Sequence, residues 1–481
     1  MKRNINIALC IVCILFSACD DFLDIKPKGV LLPELFEDYR RLMANRNMMT
    51  IDDSYTNYIT DDIMLADQSV QFGRYIQATP IQRNLYSFVS GPILSKGETD
   101  SFWENAYKRM YTLNTIINNV GNCPDGTSEQ KEELVATAKF TRAYEYLTLV
   151  NAYANHYDAS TANTDLGVPV VLSEDISKGY KRNSVAEVYR QILKDMEESE
   201  SGLPEKTVSS FYPCKKSWNA LMARIYLYMG DYENSKTYAS KVISDEPQLL
   251  NLTDFKIDYS KGPTDRLVNV ITGESYPNID EENPESLLTK NGNMINFSRA
   301  SYVSDDYLAM MDSDLPEGGI DQRRAFFLST DTFKLYNQVY EFPGKTMWVA
   351  YCSFNAGLNY SETMLTLAEC HARLGDGEAA YKLLDQFRNY RILNNKPLPR
   401  VSAQDALRIA LDERRREFTT RGSIRLVDLK RLNREIAFKK DIIHSVSDEG
   451  TWTLPANDPR YILPLPPKVL SENPSIPQLE R

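Results

Sequence analysis

Residues 215–247 read KKSWNALMARIYLYMGDYENSKTYASKVISDEP, and the spacing of their apolar side chains resolves them into two short helices folded back on one another. Met222, Ile225, Tyr226 and Met229 recur at the helical period and give the first helix one apolar stripe. Tyr238, Ala239 and Val242 give the second its own. Gly230-Asp231 supplies the turn between them. Small residues at Ala223 and Ser235 let the two backbones approach closely. A pair this short cannot bury both stripes alone, so it needs neighbours of the same kind.

Such a neighbour lies 145 positions further on, where Gly375-Asp376 falls on Gly230-Asp231, Ala368 on Ala223, Glu378 on Glu233 and Ala380 on Ser235. Residues 360–391 are therefore a second copy. Leu367, Ala368, His371, Ala380, Leu384 and Phe387 take the packing positions of the 34-residue tetratricopeptide pattern, as do Met222, Ala223, Tyr226 and Pro247 in the first copy. Trp218 sits one place early for that pattern. The repeat predicts a mainly α fold of stacked helix pairs. A scaffold of this type points to binding without saying what is bound.

At the start of the chain, Lys2 and Arg3 precede an apolar run over 5–16, which has signal-peptide length and is too short to span a membrane. Export is the expectation. The run closes on Phe16-Ser17-Ala18-Cys19, which resembles the bacterial lipoprotein signal in which that cysteine is lipidated and becomes residue one. Such signals usually carry Leu where this chain has Phe16, and an ordinary secretory peptide is the alternative. The expected division is a signal peptide over 1–18 and one domain over 19–481. Cys10 and Cys13 leave with the peptide, and Cys123, Cys214, Cys352 and Cys370 remain, with no CxxC among them. They read as packing thiols, with one disulfide left open in an exported chain. Loss of residues 1–18 removes two positive charges and no negative ones, moving the net charge from -11 to -13. That surface disfavours nucleic acid and bare anionic lipid, which makes a lipid on Cys19 the expected means of attachment. The segment after it, with Asp20, Asp21, Phe22, Leu23 and Asp24, reads as a short acidic tether.

Helical spacing predicts further helices over 33–43, 101–120 and 128–157. Thr127 with Gln130, and Ser184 with Glu187, have capping-box spacing, the second opening a helix through Val188, Ile192 and Met196. The helical repeats then cover about 128–247 and 360–391. Two stretches have a different texture. Residues 50–100 and 248–350 carry scattered Gly, Pro, Asn and Asp with no sustained period and a reserve of aromatics, and they are expected to form loop-rich regions carried by the helices, with minor β structure.

The tail carries the most specific pattern, over about 413–478. It runs through Glu413-Arg414-Arg415-Arg416-Glu417-Phe418, Gly422, Arg425, Asp428-Leu429-Lys430-Arg431, Tyr461-Ile462-Leu463-Pro464-Leu465-Pro466-Pro467, Asn473-Pro474 and Gln478. With the lipoprotein start, Asp21 to Asp24, Pro27, the Ala138-Lys139-Phe140-Thr141-Arg142-Ala143 segment, Val168-Pro169 and the two repeats, it closely resembles the SusD/RagB family over essentially the whole mature chain. Family members usually carry an aromatic pair where this chain has Leu426-Val427, and one extra residue lies between Phe418 and Asp428. The resemblance implies four tetratricopeptide-like helix pairs supporting a loop-rich ligand-binding region. It also implies a surface-exposed outer-membrane lipoprotein of a Bacteroidetes-type bacterium, capping a SusC-like TonB-dependent transporter and capturing oligosaccharides or other nutrients for it.

Glu413 and Glu417 stand one helical turn apart and could be offered as an acid and base pair for a surface glycoside hydrolase. An ion-pair network with Arg414, Arg415, Arg416, Arg425 and Asp428 explains the same charges without catalysis and is the favoured reading. His156, His371 and His444 lie far apart, and no HExxH, GxSxG or phosphate loop is present, so neither an enzyme nor a metal or other cofactor is expected. Sugars present flat C–H patches and a rim of hydroxyls, which calls for exposed rings with polar groups beside them. Tyr144, Tyr153, Tyr226 and Tyr238 fall on repeat stripes and are expected in the core. The ligand site is expected where 50–103 meets 276–351, with Tyr75, Trp103 and Trp348 for stacking, Asp61, Asp62 and Arg74 for hydroxyl contacts, and Tyr302 as a further site residue. Trp103 also fits an ordinary helical stripe through Tyr107 and Met110.

Overall fold

The computed structural model describes residues 33–65, 78–175, 179–244, 246–277, 283–292, 301–328, 333–335, 338–340, 354–447 and 449–481. Its helices are α1 (Phe36–Met43), α2 (Pro80–Tyr86), α3 (Ser101–Asn119), α4 (Ser128–Tyr153), α5 (Val185–Ser199), α6 (Lys215–Met229), α7 (Tyr232–Val242), α8 (Asp305–Met311), α9 (Gln322–Phe327), α10 (Tyr360–Arg373), α11 (Gly377–Asn389), α12 (Ala403–Phe418), α13 (Ile424–Leu432) and α14 (Pro467–Glu472). The quoted hairpin is α6 and α7, and its second copy is α10 and α11. Packing runs α3 on α4, α4 on α5, α6 on α7, α7 on α10, and α10 on both α11 and α12. Each hairpin buries its stripe against the next, as a repeat scaffold must.

The shared Gly-Asp turn is the same construction twice. Gly230 and Gly375 both take the left-handed conformation, φ 76° and 87°, which a Cβ would penalise. Asp231 and Asp376 then cap the following helices, accepting from the Asn234 and Ala379 amides at 3.1 Å each. The small residue at Ser235 permits its hydroxyl to donate to the Ala223 carbonyl across the pair at 2.8 Å. Trp218 is buried, and its indole N–H donates to the Met196 carbonyl of α5 at 2.8 Å, tying this hairpin to the preceding pair. Both expected capping boxes form, at Thr127 with Gln130 and at Ser184 with Glu187. Tyr144 and Tyr153 are buried, whereas Tyr226 and Tyr238 are half-buried and stack on each other 5.6 Å apart.

α4 stops at Tyr153, short of the expected 157, because basic side chains collect its last carbonyls. Arg182 donates to the Tyr153 carbonyl and Lys430 to that of Ala154, each at 2.6 Å, which ends the helix where the tail crosses it. Leu426 and Val427, in place of an aromatic pair, are both buried. Cys123, Cys214 and Cys370 are buried free thiols, while Cys352, Cys19 and the tether lie outside the described residues.

The two stretches read as loop-rich hold more regular structure than their texture suggested. They contain α2, α8 and α9, and they meet through short strands: Thr50–Ile51 runs parallel to Asn291–Gly292, and Ile63–Leu65 antiparallel to Ser301–Val303. Part of the aromatic reserve forms a small second core, in which Tyr276, Phe326 and Phe327 pack with Leu252, Phe255 and Leu267. Buried rings are the cheapest way to stabilise so little regular structure, since each removes a large apolar area from water.

Candidate functional site

Glu413 and Glu417 point into a buried lattice of guanidinium groups. Glu413 is fully buried and accepts from Arg388 at 2.6 Å, Arg323 at 2.7 Å and Arg416 at 3.1 Å. Glu417 accepts from Arg391 through both oxygens, at 2.9 and 3.0 Å, and from Arg323 at 3.2 Å. Burial alone would push the Glu417 carboxyl up, but the Arg391 guanidinium, with Arg421 and Arg323, holds it down at about 2. Neither carboxyl can carry a proton near neutral pH or reach a substrate, so the pair is structural.

Glu369 is likewise held at about 2 against its burial, by Arg431 and Arg373. For both, the unfolded value is near 4.5, so the folded form binds protons more weakly. Their stabilisation is complete above about pH 4.5 and is lost as pH falls toward 2. The urea midpoint is therefore expected to fall steeply between pH 5 and pH 3. A midpoint unchanged at pH 3 would show that the lattice contributes nothing.

Asp61 and Asp62 are placed otherwise than expected. Both are buried, and their carboxylates face the tail. Arg425 grips Asp61 at 2.8 and 2.9 Å and Lys440 reaches it at 2.7 Å, while Asp62 accepts from Arg415 at 2.7 Å and from the Thr419 hydroxyl at 2.8 Å. Burial would raise the Asp61 carboxyl, yet Arg415, Arg425 and Lys440 hold it well below the usual carboxylate range. These acids lock the tail to the first irregular region instead of offering acceptors to a ligand. Tyr302 is half-buried on its strand opposite Met64. Arg74, Tyr75 and Trp348 lie outside the described residues.

Trp103 lies elsewhere, at the start of α3. Asp100 caps that helix, accepting from the Phe102 amide at 3.0 Å, and its other oxygen accepts from the hydroxyls of Tyr55 and Tyr153 at 2.6 Å each. This fixes the first turn. Trp103 is 6% exposed, its ring 4.8 Å from Tyr107 and 4.9 Å from Tyr153. Tyr107 donates to the Pro169 carbonyl at 2.9 Å, and Tyr111, one further turn along, is 47% exposed. Residues four apart share a helix face, so Trp103, Tyr107 and Tyr111 form a ladder of rings. They wall a groove of about 520 Å³, closed opposite by Tyr180, Val469 and Ile476 and edged by Ser173, Asp175 and Asn473. Asn473 donates to the Tyr180 carbonyl at 2.6 Å and fixes the far wall. Concave, aromatic and rimmed by a few polar groups, the groove suits a ligand with flat apolar faces and a hydroxylated edge. Tyr111 and Tyr180 were missed in the sequence; the four-residue recurrence of rings was the available signal for Tyr111. Among the described residues, no cluster of three or more His, Cys, Asp or Glu is placed to hold a metal ion.

Two family models match the chain: one described as starch-binding associating with outer membrane, over 21–227, and the SusD family model over 358–480. The chain belongs to the SusD/RagB family. The SusD-like protein P2 of Formosa agariphila is 27% identical over 251 residues, which span 51% of this chain and 47% of that one, about half the length of the relative. A SusD superfamily protein of Bacteroides thetaiotaomicron superposes with a TM-score of 0.64 at 19% identity, covering 93% of this chain and 100% of that one. A putative sugar binding protein of Bacteroides vulgatus gives 0.65 at 18% identity, covering 93% and 98%. The SusD-like fold thus extends across both irregular regions as well as the helix pairs. Among the described residues, no helix is long and apolar enough to cross a membrane.

Proposed function

We propose that this SusD-like chain captures oligosaccharides at the cell surface and delivers them to a SusC-like TonB-dependent transporter in the outer membrane, held there by a lipid on Cys19. The ladder of Trp103, Tyr107 and Tyr111 beside a polar rim carries the reading, because ring faces for stacking next to hydroxyl partners are what a sugar requires. The names of the relatives above support the ligand class. The competing reading, a surface glycoside hydrolase, needs two accessible carboxylates across a cleft, and the one pair singled out in the sequence is locked in arginines. Retention in affinity gels containing polysaccharide, without release of reducing ends, is the expected result, and steady product formation would overturn it. Co-purification from mildly solubilised outer membrane should recover the transporter, and consistent recovery of the chain alone would count against the partnership. Labelled palmitate should enter the wild type and be absent from Cys19→Ala; an unlabelled, fully soluble wild type would remove the anchor.

A further inference from the structure

Most polar groups of the aromatic groove are engaged in holding the groove together. Tyr107 gives its hydroxyl proton to the Pro169 carbonyl at 2.9 Å, and Tyr180 gives its own to the Asp175 carbonyl at 3.1 Å. The Asn473 side chain donates to the Tyr180 carbonyl at 2.6 Å and accepts from the Ser475 hydroxyl at 2.8 Å. Ser173 accepts from the Asp175 backbone N–H at 3.1 Å, and Asp175 has a further partner of its own. Glu472 differs. It lines the same groove and stands exposed, and among the described residues neither of its oxygens takes a hydrogen bond or an ion pair. Its backbone is nonetheless fixed: Glu472 ends α14, and the next residue, Asn473, is held both by its side chain on Tyr180 and by its backbone N–H on the Val469 carbonyl at 2.9 Å. The Ile476 N–H then donates to the Asn473 carbonyl at 3.0 Å, and that isoleucine is buried in the same wall.

A carboxylate only accepts, through two oxygens set side by side, and two adjacent hydroxyls on a sugar ring present donors in the same arrangement. Hydrogen bonds of this charge-assisted kind are about twice as strong as neutral ones. Ring faces read flat C–H patches, which many sugars share, so the group that meets the hydroxyl edge decides which sugar is kept. Charge acts in the same direction. Among the described residues lining the groove, the charged ones are Asp175 and Glu472, with no Lys or Arg. A sugar that carries carboxylate or sulfate brings like charge against them, which weakens binding.

We infer that Glu472 is the specificity-determining residue of the groove, accepting two adjacent hydroxyls of a neutral sugar stacked on the rings and turning acidic sugars away. This rests on the groove being the glycan site. Calorimetric titration of the full mature chain tests it, with cellohexaose, xylohexaose, maltohexaose and mannohexaose as neutral probes and hexagalacturonate as the acidic one. At least one neutral probe is expected to bind, and its affinity should fall about five- to tenfold in Glu472→Gln with the melting temperature unchanged, because the side chain is exposed. Hexagalacturonate should bind the wild type about tenfold more weakly than that probe, and it should gain affinity in Glu472→Lys. A Glu472→Gln protein that binds the neutral probe like the wild type would overturn the inference, and loss of the same binding in Tyr111→Ala would leave the groove standing without it. A wild type that binds hexagalacturonate as tightly as the neutral probe, or a Glu472→Lys protein that gains nothing for it, would overturn the inference as well. If no neutral probe binds the wild type, the reading of the groove fails and the role of Glu472 falls with it.

Discussion

Replacing Glu413 with alanine is expected to cost about 3–5 kcal/mol of folding stability. Its two oxygens hold Arg388, Arg416 and Arg323, and it has no exposed surface. Arg323 would keep Asp321 and Glu417 after the change, but Arg388 would keep only the Asp314 carbonyl, and its Nε already lacks a partner. An unpaired guanidinium in the interior is the costly product, because desolvation remains while attraction is gone. The check is the urea midpoint at neutral pH, which should fall with the slope unchanged. Glu413→Gln keeps the volume, so a comparable loss there would locate the effect in the charge. An alanine variant within about 1 kcal/mol of wild type would show that the lattice is not a keystone.

Trp103→Ala should lower both stability and glycan affinity. The ring is nearly buried between Tyr107 and Tyr153, and deleting an aromatic from such a place costs about 3–5 kcal/mol through lost transfer energy and the cavity left behind. Its remaining face closes the groove, so affinity falls with it. Tyr111→Ala should separate the two effects: at 47% exposure its loss changes stability by no more than about 0.5 kcal/mol, while an anchor ring contributes about 1–3 kcal/mol to binding. A Trp103→Ala protein that melts like the wild type would contradict this placement of the ring.

The helix pairs were legible because their signals are local. A glycine that must turn left-handed, an aspartate that caps the next amide and a stripe at helical spacing all lie within 33 residues of one another in the quoted stretch. The capping boxes at Thr127 and Ser184 were legible for the same reason. The arginines around Glu413 could be read as structural because too many of one sign adjoin too few of the other. Asp61 and Asp62 misled because their partners stand 353 to 379 positions away, and nothing near them in the chain announces a counter-charge. The strand pairs joining the two irregular regions were hidden likewise, since two or three residues have no period to detect. The groove combines both cases. Its ladder is written at every fourth residue from Trp103, but its opposite wall comes from Tyr180, Val469 and Ile476, which only the folded chain brings near.

Calorimetric titration of a panel of neutral oligosaccharides into the wild type and Tyr111→Ala tests the central claim most directly. At least one should bind the wild type, and its affinity should drop about tenfold or more in the variant while the melting temperature stays unchanged. Equal affinity in the two proteins, with binding measurable in both, would contradict capture by the aromatic groove.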